Sequence, residues 1–163
     1  MMLKKNITIT QIFQMSGNEF IYSLFDWVVG AGFNPTNATD SEKALIFVVT
    51  AHGILGNGGF RFFYENDFDN GLVSHEEIVS YFDKVGSHGT ASILRKSLLL
   101  FPEAKPHCDL KLRRVFLDNF FDTEKNDMLD RLESDLFIAM RSDMDNLEKY
   151  LKNNKTNFGV AAS

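Results

Sequence analysis

The spacing of apolar residues along the chain predicts a series of α-helices. From Asn18 onward, apolar side chains recur at steps of three and four, which places them on one face of a helix, whereas a strand would show a period of two. The first stripe ends near Gly30 and Gly32. The last, over residues 124–153, is typical of one long amphipathic helix or of two collinear ones, with acidic residues on the outer side.

Two start signals define helices in the middle of the chain. Thr39 is followed three residues later by Glu42, which fits a capping box that satisfies free backbone N–H groups at a helix start. The pair Ser74 and Glu77 repeats the pattern. The helix that opens at Thr39, predicted over residues 40–55, is apolar almost all round, so we expect it at the centre of the fold. Its apolar run of about a dozen residues is shorter than the roughly 20 that cross a bilayer, so no membrane association is expected.

Because no segment shows a convincing strand pattern, the sequence predicts an all-α fold: a single compact domain of about seven helices around a central apolar helix. The helical domain is predicted over residues 18–153. Residues 1–17 are interpreted as an N-terminal arm, since the alternating ITIT stretch within them has no strand to pair with. Residues 154–163 are predicted to be a flexible C-terminal tail.

Composition agrees with such a domain and narrows its setting. The chain has 163 residues, of which 44% are hydrophobic, enough to bury a core. Its single cysteine, Cys108, cannot form an internal disulfide, and the N-terminal residues lack the apolar run of a secretory signal. These features predict a cytoplasmic location. The formal charge of −5 argues against direct binding to nucleic acid, which needs a basic surface.

The distribution of charge is more informative than its sum. Six acidic residues and no lysine or arginine lie between Phe62 and Asp83, and ten acidic residues lie between Asp118 and Glu148. A basic segment, residues 95–114, separates the two. One interpretation is that these are ordinary solvated helix faces. Our leading hypothesis is an acidic face that binds a basic protein partner. The residues predicted for this face are Asp67, Asp69, Glu76, Glu77, Asp130, Glu133 and Asp135.

Enzyme chemistry has no positive support in the sequence. The glycines of 56-GNGGF-60 lack the lysine and the spacing of a phosphate-binding loop. No serine lies in a nucleophile elbow, and no histidines have metal-binding spacing. A calcium loop aligned on Gly71 puts Phe68 where an oxygen ligand is needed. We therefore predict no catalytic residue, no metal and no cofactor. His52, in the central apolar run, is interpreted as a hydrogen-bonded core histidine.

The segment 57-NGGFRFFYEN-66 resembles the NGGFxQFFxN motif of a bacterial family of unknown function typified by DNA-mimic protein 19. The stretch 82-FDKVGSHGTASILRKSLLLFP-102 is similar to a second part of that family, which ends in LFP, and the likeness covers about residues 44–150. Phe62 stands where the family has glutamine, and Ile54 where it often has glutamate. The residues that match the motif are Asn57, Gly58, Gly59, Phe60, Phe63 and Asn66.

The resemblance implies an all-α fold and suggests a homodimer. It also implies that acidic side chains imitate the phosphates of duplex DNA and sequester a transcription factor. Two kinds of basic partner are left open: a DNA-binding regulator, or a basic toxin that this chain would neutralise as an immunity protein. A further possibility, from another class, is a small-ligand or enzymatic pocket beside the motif. Its residues would be His52, Asn57, Phe60, Phe63 and Tyr64.

The glycines of the motif are predicted to end the central helix in a left-handed αL cap and to let the chain reverse tightly. Phe60 and Phe63 are expected to anchor this corner to the core, and Asn57 and Asn66 to bind its free backbone groups. The motif is therefore interpreted as structural, and function is expected in the acidic residues that follow it.

Overall fold

The computed structural model of the protein describes residues 7–121 and 126–161. Apart from an isolated bridge between Phe68 and Val73, these residues contain no β-structure, which confirms the predicted all-α class. A single helical turn is followed by seven α-helices of ten residues or more. In chain order they are α1 (Ile9–Ile12), α2 (Gly17–Gly30), α3 (Asp40–Glu65), α4 (His75–Lys84), α5 (His88–Leu98), α6 (Leu110–Phe121), α7 (Asn126–Ala139) and α8 (Asp143–Asn153).

Helix α3 is the centre of the fold, as the sequence predicts, and it packs against α2, α4, α6, α7 and α8. It starts at the predicted capping box, where the Glu42 carboxylate accepts a hydrogen bond from the Thr39 N–H at 2.7 Å. It extends to Glu65 rather than to residue 55. With 26 residues it is long and apolar enough to qualify as a candidate membrane span, but a core helix meets the same criterion. Its position at the centre of the helices identifies it as a core helix.

Helix α3 bends sharply inside the glycine motif instead of ending there. Gly58 has φ −156° and ψ 19°, and Gly59 has φ 59° and ψ −150°, a backbone region that is essentially restricted to glycine. The predicted αL cap is therefore wrong, because the chain resumes its helix at Phe60 after one kink. A glycine pair can interrupt the hydrogen-bond ladder without ending a helix when the flanking side chains are held by the core.

The other helices pack around α3 in two groups. Helix α4 contacts α3 and α5, and α5 contacts α7, while α8 packs against α2 and α3. A 3-10 turn, Met140–Ser142, separates α7 from α8, so the long C-terminal stripe forms two helices. The predicted start of that stripe at residue 124 lies outside the described residues.

The N-terminal end of the described chain is packed against the helical domain, which corrects the predicted arm. Thr8 and Gln11 form a capping box that opens α1, and Ile12 is buried in the core. The alternating ITIT stretch thus forms a helical turn, because a local cap is available and no partner strand is. Residues 1–6 of the predicted arm lie outside the described residues.

The C-terminal end is packed as well, which corrects the predicted flexible tail. The 3-10 turn Lys155–Phe158 carries the Phe158 ring into the core, 5.6 Å from the ring of Phe13. Burial of one aromatic side chain contributes roughly 1.5–3 kcal/mol, enough to hold a short chain end in place. Residues 162–163 lie outside the described residues.

Candidate functional site

A carboxylate from α7 holds the glycine corner from outside. Glu133 Oε1 accepts a hydrogen bond from the Phe60 N–H at 2.9 Å. The same oxygen fills the space that a side chain at position 59 would need, since a Cβ built on Gly59 would lie 1.6 Å from it. The N–H groups after a helix break need acceptors, and Glu133 supplies one as an N-cap side chain does at a helix start. Glu133, predicted for the partner-binding face, is instead part of the support of this corner.

The aromatic residues of the motif fill the space behind the corner. Phe60, Phe63 and Tyr64 are at most 1% exposed, and the cavity that Phe60 and Tyr64 border has a volume of about 10 Å³, room for one water molecule. Asn57 is exposed to solvent. His52 is half-buried, with its Nε2 3.4 Å from the Met140 carbonyl oxygen. The three aromatic residues therefore form packed core where the sequence left open a ligand pocket, and Asn57 lies on the surface.

The end of α3 is held by a buried arginine that the sequence analysis did not single out. The guanidinium of Arg113 donates hydrogen bonds to the carbonyl oxygens of Tyr64 and His107, the second at 2.6 Å, and to Asp67 Oδ1 at 2.5 Å. The last carbonyl groups of a helix lack intrahelical partners and carry partial negative charge, so a cation there is stabilising. Asp67, another residue predicted for the partner-binding face, neutralises this buried cation.

The burial of Arg113 could have been predicted from the spacing of apolar residues in α6. The buried positions of this helix include Leu117 and Phe120, four and seven residues after Arg113, so the arginine occupies the apolar stripe. A cation in such a stripe requires acceptors inside the fold, because burial of an unpaired charge is strongly unfavourable. An arginine at a core position of a helix therefore indicates a buried hydrogen-bond network.

His75, the first residue of α4, is buried against the same end of α3. Its Nε2–H donates to the Phe63 carbonyl oxygen at 3.1 Å, and the rings of Phe63, Tyr64 and Phe68 surround it with centroids 5.1–5.6 Å away. Burial is the main cause of the low pKa of His75, about 4; the charge of Arg113 acts in the same direction, and the hydrogen bond to Phe63 opposes it. The imidazole is therefore neutral at pH 7.

A buried carboxylate also joins α5 to α8. Asp143 is 1% exposed, and its two oxygens lie 2.9 and 3.0 Å from the Thr90 hydroxyl, which donates to them. Burial raises the pKa of Asp143, and hydrogen bonds from Thr90 and Ser87 limit the rise. Because Ser87 and Thr90 are buried too, the cluster is closed to solvent and serves as a polar link between two helices.

Three of the seven acids predicted for the partner-binding face thus have hydrogen-bond donors within the fold. Asp67 pairs with Arg113, Glu133 supports the corner, and Glu77 Oε2 accepts the Ser74 N–H at 3.0 Å in the capping box of α4. In each case a backbone or side-chain donor lies within hydrogen-bond distance of the carboxylate, although Asp67 and Glu77 are exposed to solvent.

The other four acids make no ion pair or side-chain hydrogen bond within the part of the chain that the structure describes. They are Asp69, Glu76, Asp130 and Asp135. The structure places Asp130 and Asp135 together on α7, and it places Asp69 and Glu76 elsewhere, just before and at the start of α4. Over residues 7–121 and 126–161, no group of three or more His, Cys, Asp or Glu side chains is arranged to hold a metal ion.

The basic segment over residues 95–114 is partly neutralised within the fold. Arg95 pairs with Asp83, and Arg113 pairs with Asp67. Its remaining basic side chains are exposed: Lys96, Lys105, Lys111 and Arg114. Both signs of charge are therefore reduced by internal pairing, and the free acids form a smaller set than the sequence predicts.

Comparison with known proteins supports the family resemblance that the glycine motif indicates. No curated protein and no solved structure matches the chain. A family model described as DMP19-like protein matches residues 36–154, a range that runs from α3 to α8 and includes the glycine corner, Arg113 and the free acids of α7. The match covers more than half of the sequence and confirms the resemblance seen in the motif: the chain belongs to the DMP19-like protein family.

Proposed function

We propose that this chain is a non-enzymatic interaction protein that binds a basic protein partner through the outer side of α7. The observation that carries the proposal is a set of three exposed carboxylates on this helix, those of Asp127, Asp130 and Asp135. None of them has an ion partner among the described residues. At about 1.5 Å of rise per residue, they are separated by about 4.5 and 7.5 Å along the helix axis, and at about 100° of turn per residue they spread around its solvent-exposed side. Like charges at this spacing repel one another, and an approaching basic surface relieves the repulsion.

Exposed apolar side chains accompany these acids on α7. Met128, Phe137 and Ile138 are between 43% and 60% exposed. Other helices also expose single apolar side chains, Leu112 and Val115 of α6 among them, but on α7 a methionine and an aromatic residue lie beside free acids, the combination that protein interfaces use. The apolar residues therefore support contact with another protein.

The form of binding that fits the family is mimicry of DNA. Duplex DNA carries one negative charge per about 1.7 Å of its axis, so a protein that competes with it must present several carboxylates close together. The three carboxylates on α7 meet this requirement in part, and family membership favours a DNA-binding regulator as the basic partner. Electrostatic complementarity would then act mainly on the rate of association and on the choice of partner.

The test uses a synthetic lysine-rich peptide as the probe and compares the wild-type chain with the double variant D130N/D135N. Binding is measured by fluorescence anisotropy at about 0.1 M and about 1 M salt, where the Debye length falls from about 10 Å to about 3 Å. We expect the double variant to weaken binding roughly fivefold at the lower salt concentration. We expect the wild-type chain to lose its binding at the higher one.

The matched control removes two exposed carboxylates from α2 instead, in the double variant E19Q/D26N. This variant has the same net charge as D130N/D135N, so it should retain wild-type affinity if α7 is the binding face. Equal weakening by both double variants would mean that the probe senses only net charge, and it would contradict the proposal. Binding that survives about 1 M salt would contradict its electrostatic basis.

A second arm separates mimicry from other forms of binding. The wild-type chain is added to a basic DNA-binding protein on labelled duplex DNA, and release of the DNA is measured. We expect the wild-type chain and E19Q/D26N to release DNA and D130N/D135N to release less. If the chain binds the peptide but releases DNA from none of the DNA-binding proteins in a panel, mimicry of DNA is excluded. A basic toxin would then be favoured as the partner.

A further inference from the structure

A second surface lies between two loops on the α4 side of α3. Two cavities of about 250 and 210 Å³ open between the α2–α3 loop, residues 31–39, and the α3–α4 loop, residues 66–74. Both are bordered by Pro35, Phe47 and Asp69, so they adjoin and form one groove. We name it the Asp69 groove.

Aromatic rings line the Asp69 groove along its length. The ring centroids of Phe33 and Phe47 lie 6.1 Å apart, and those of Phe47 and Tyr81 lie 5.5 Å apart. Near Phe33 the wall is completed by apolar side chains, Ile46 and Phe68 among them. Aromatic faces attract cations and also pack against the aliphatic stems of lysine and arginine. The groove is therefore suited to a side chain with an apolar stem and a positive end, next to an apolar neighbour.

The central carboxylate of the groove, that of Asp69, has no ion partner in the part of the chain that the structure describes. The charged residues in the lining are three acids, Asp67, Asp69 and Glu77, and one cation, Lys43. Asp67 is matched by Arg113, and Glu77 is held in its capping box. Asp69 borders both cavities and has no ion pair or side-chain hydrogen bond with any described residue. An arginine or lysine from outside would give Asp69 the charge-assisted hydrogen bonds that the fold does not.

The rim of the groove presents an apolar side chain to solvent. Asp69, Asn70 and Gly71 have φ of 47°, 54° and 85°, three left-handed residues in succession, and Leu72 after them is 79% exposed. Leu72 also lines the cavity on the Tyr81 side. A bound chain would cover Leu72, and removal of this apolar surface from water would add to the affinity.

We propose that the Asp69 groove binds an extended segment of a basic partner protein in which an arginine or lysine lies next to an apolar residue. The basic side chain pairs with Asp69 above the Phe47 ring, and the apolar side chain enters the cavity between Phe33 and Phe68. This inference rests on the proposed function, since the segment belongs to the same basic partner. It assigns recognition of that segment to a surface other than α7.

The test uses two acetylated alanine-rich hexapeptides as probes, one with a leucine–arginine pair and one with a leucine–glutamate pair. Each is added to the isotope-labelled full chain, and backbone amide shifts are followed by NMR. We expect saturable shifts within residues 31–39 and 66–74 for the arginine peptide, and none for the glutamate peptide. We expect D69N to lower the affinity of the arginine peptide by at least about fivefold.

The variants are chosen to leave the fold intact. Asparagine tolerates the left-handed conformation that Asp69 adopts, so D69N keeps the turn. Leu72→Ser changes a side chain that is mostly exposed to water, and it should also lower the affinity of the arginine peptide. Glu76→Gln is the matched control: it removes one negative charge nearby, from a residue that does not line the groove, and should leave the affinity unchanged.

The possible results separate the groove from α7. Shifts outside the two loops, equal binding of the two hexapeptides, or full affinity of D69N would overturn this inference. If D130N/D135N weakens the lysine-rich peptide while the hexapeptide does not bind, the inference fails and the proposed function stands. If the hexapeptide binds the groove while D130N/D135N has no effect, the groove stands and the α7 face fails.

Discussion

Asp130 and Glu133 lie about one turn apart on α7 and have opposite environments. Glu133 is turned toward α3 and accepts the Phe60 N–H at 2.9 Å, whereas Asp130 is exposed and has no ion partner among the described residues. A contrast in pairing, though not in exposure, separates Asp67, which pairs with buried Arg113, from Asp69 two residues later, which has no ion pair with any described residue. Acids that are neighbours in sequence thus form two groups, defined by their contacts and not by their exposure: an inward group whose carboxylates have donors in the fold, and an outward group whose carboxylates have none among the described residues.

The difference shows that the charge of this chain is a poor guide to its surface. An inward carboxylate that satisfies a buried donor stabilises the fold, because an unpaired donor or charge in the interior costs free energy. The same carboxylate contributes little to the field that a partner meets. The comparison therefore predicts that changes at the inward group alter folding stability and that changes at the outward group alter binding alone.

The largest effect is expected from removing the donor that serves the inward acid Asp67. Arg113→Met keeps most of the side-chain volume but leaves the carbonyl oxygens of Tyr64 and His107, and the carboxylate of Asp67, without their donor. We expect the free energy of unfolding to fall by about 3–4 kcal/mol, toward the lower end for a broken buried pair because Asp67 is partly exposed. Urea unfolding followed by circular dichroism measures the change.

The matched control for this variant is Arg114→Met, which removes an exposed arginine from the same helix. We expect a change within about 0.5 kcal/mol there. Similar losses in both variants would indicate that α6 tolerates no methionine at either position, and the division into inward and outward charges would lose its best support.

The next effect concerns pH. The folded pKa of His75, about 4, lies below its ordinary value of 6.5, so the unfolded chain binds the proton first as the pH falls. Stability from this residue is therefore complete above pH 6.5 and is lost as the pH falls toward 4, by roughly 3 kcal/mol in total. Urea unfolding at several pH values measures the slope.

Two histidine variants show whether this pH dependence belongs to the buried side chain. His75→Gln cannot titrate, so the loss of stability between pH 6.5 and 4 should shrink in this variant. The exposed His88 pairs with Asp83, and His88→Gln should keep the loss. An unchanged slope in His75→Gln would show that other groups cause the acid sensitivity.

A smaller effect is expected at the corner that Glu133 supports. Gly59→Ala forces a side chain into a glycine-only backbone conformation and into the position of the Glu133 carboxylate. We expect a loss of about 2 kcal/mol in the free energy of unfolding. Gly56→Ala, in the regular part of α3 with open space around it, should instead be neutral or stabilise by up to about 1 kcal/mol. Equal changes in the free energy of unfolding for the two alanine variants would contradict a supporting role of Glu133 at the kink.

The parts of the fold that the sequence predicts well are those with local signals. The capping boxes at Thr39 and Ser74 place the starts of α3 and α4, because both members of each box lie within one turn. The apolar surface of residues 40–55 likewise identifies the central helix. The continuation of α3 beyond Gly59 has no such signal, because the acceptor that supports it, Glu133, is 73 residues away.

The acids could not be sorted into two groups from the sequence for the same reason. Asp67 is inward because Arg113, 46 residues later, reaches it from α6. Asp69 makes no ion pair with any described residue, although Lys43 of α3 lines the same groove. Spacing and charge runs are the same in either case, so only the tertiary positions of the donors separate a structural carboxylate from one that is free to bind.

The smallest effect on stability is expected from the outward group, and it is the most informative. D130N/D135N removes two exposed charges that have no partner in the described chain, so the free energy of unfolding should stay within about 0.5 kcal/mol of the wild-type value. Some gain is reasonable, since the substitution also removes repulsion from Asp127. Urea unfolding of this variant beside Asp67→Asn, which should lose stability because Arg113 loses its counterion, measures the contrast directly.

A loss above about 1 kcal/mol in D130N/D135N would place these acids in the inward group, and weaker peptide binding would then report damage to the fold. Unchanged stability with weaker binding is what distinguishes a binding carboxylate from a structural one.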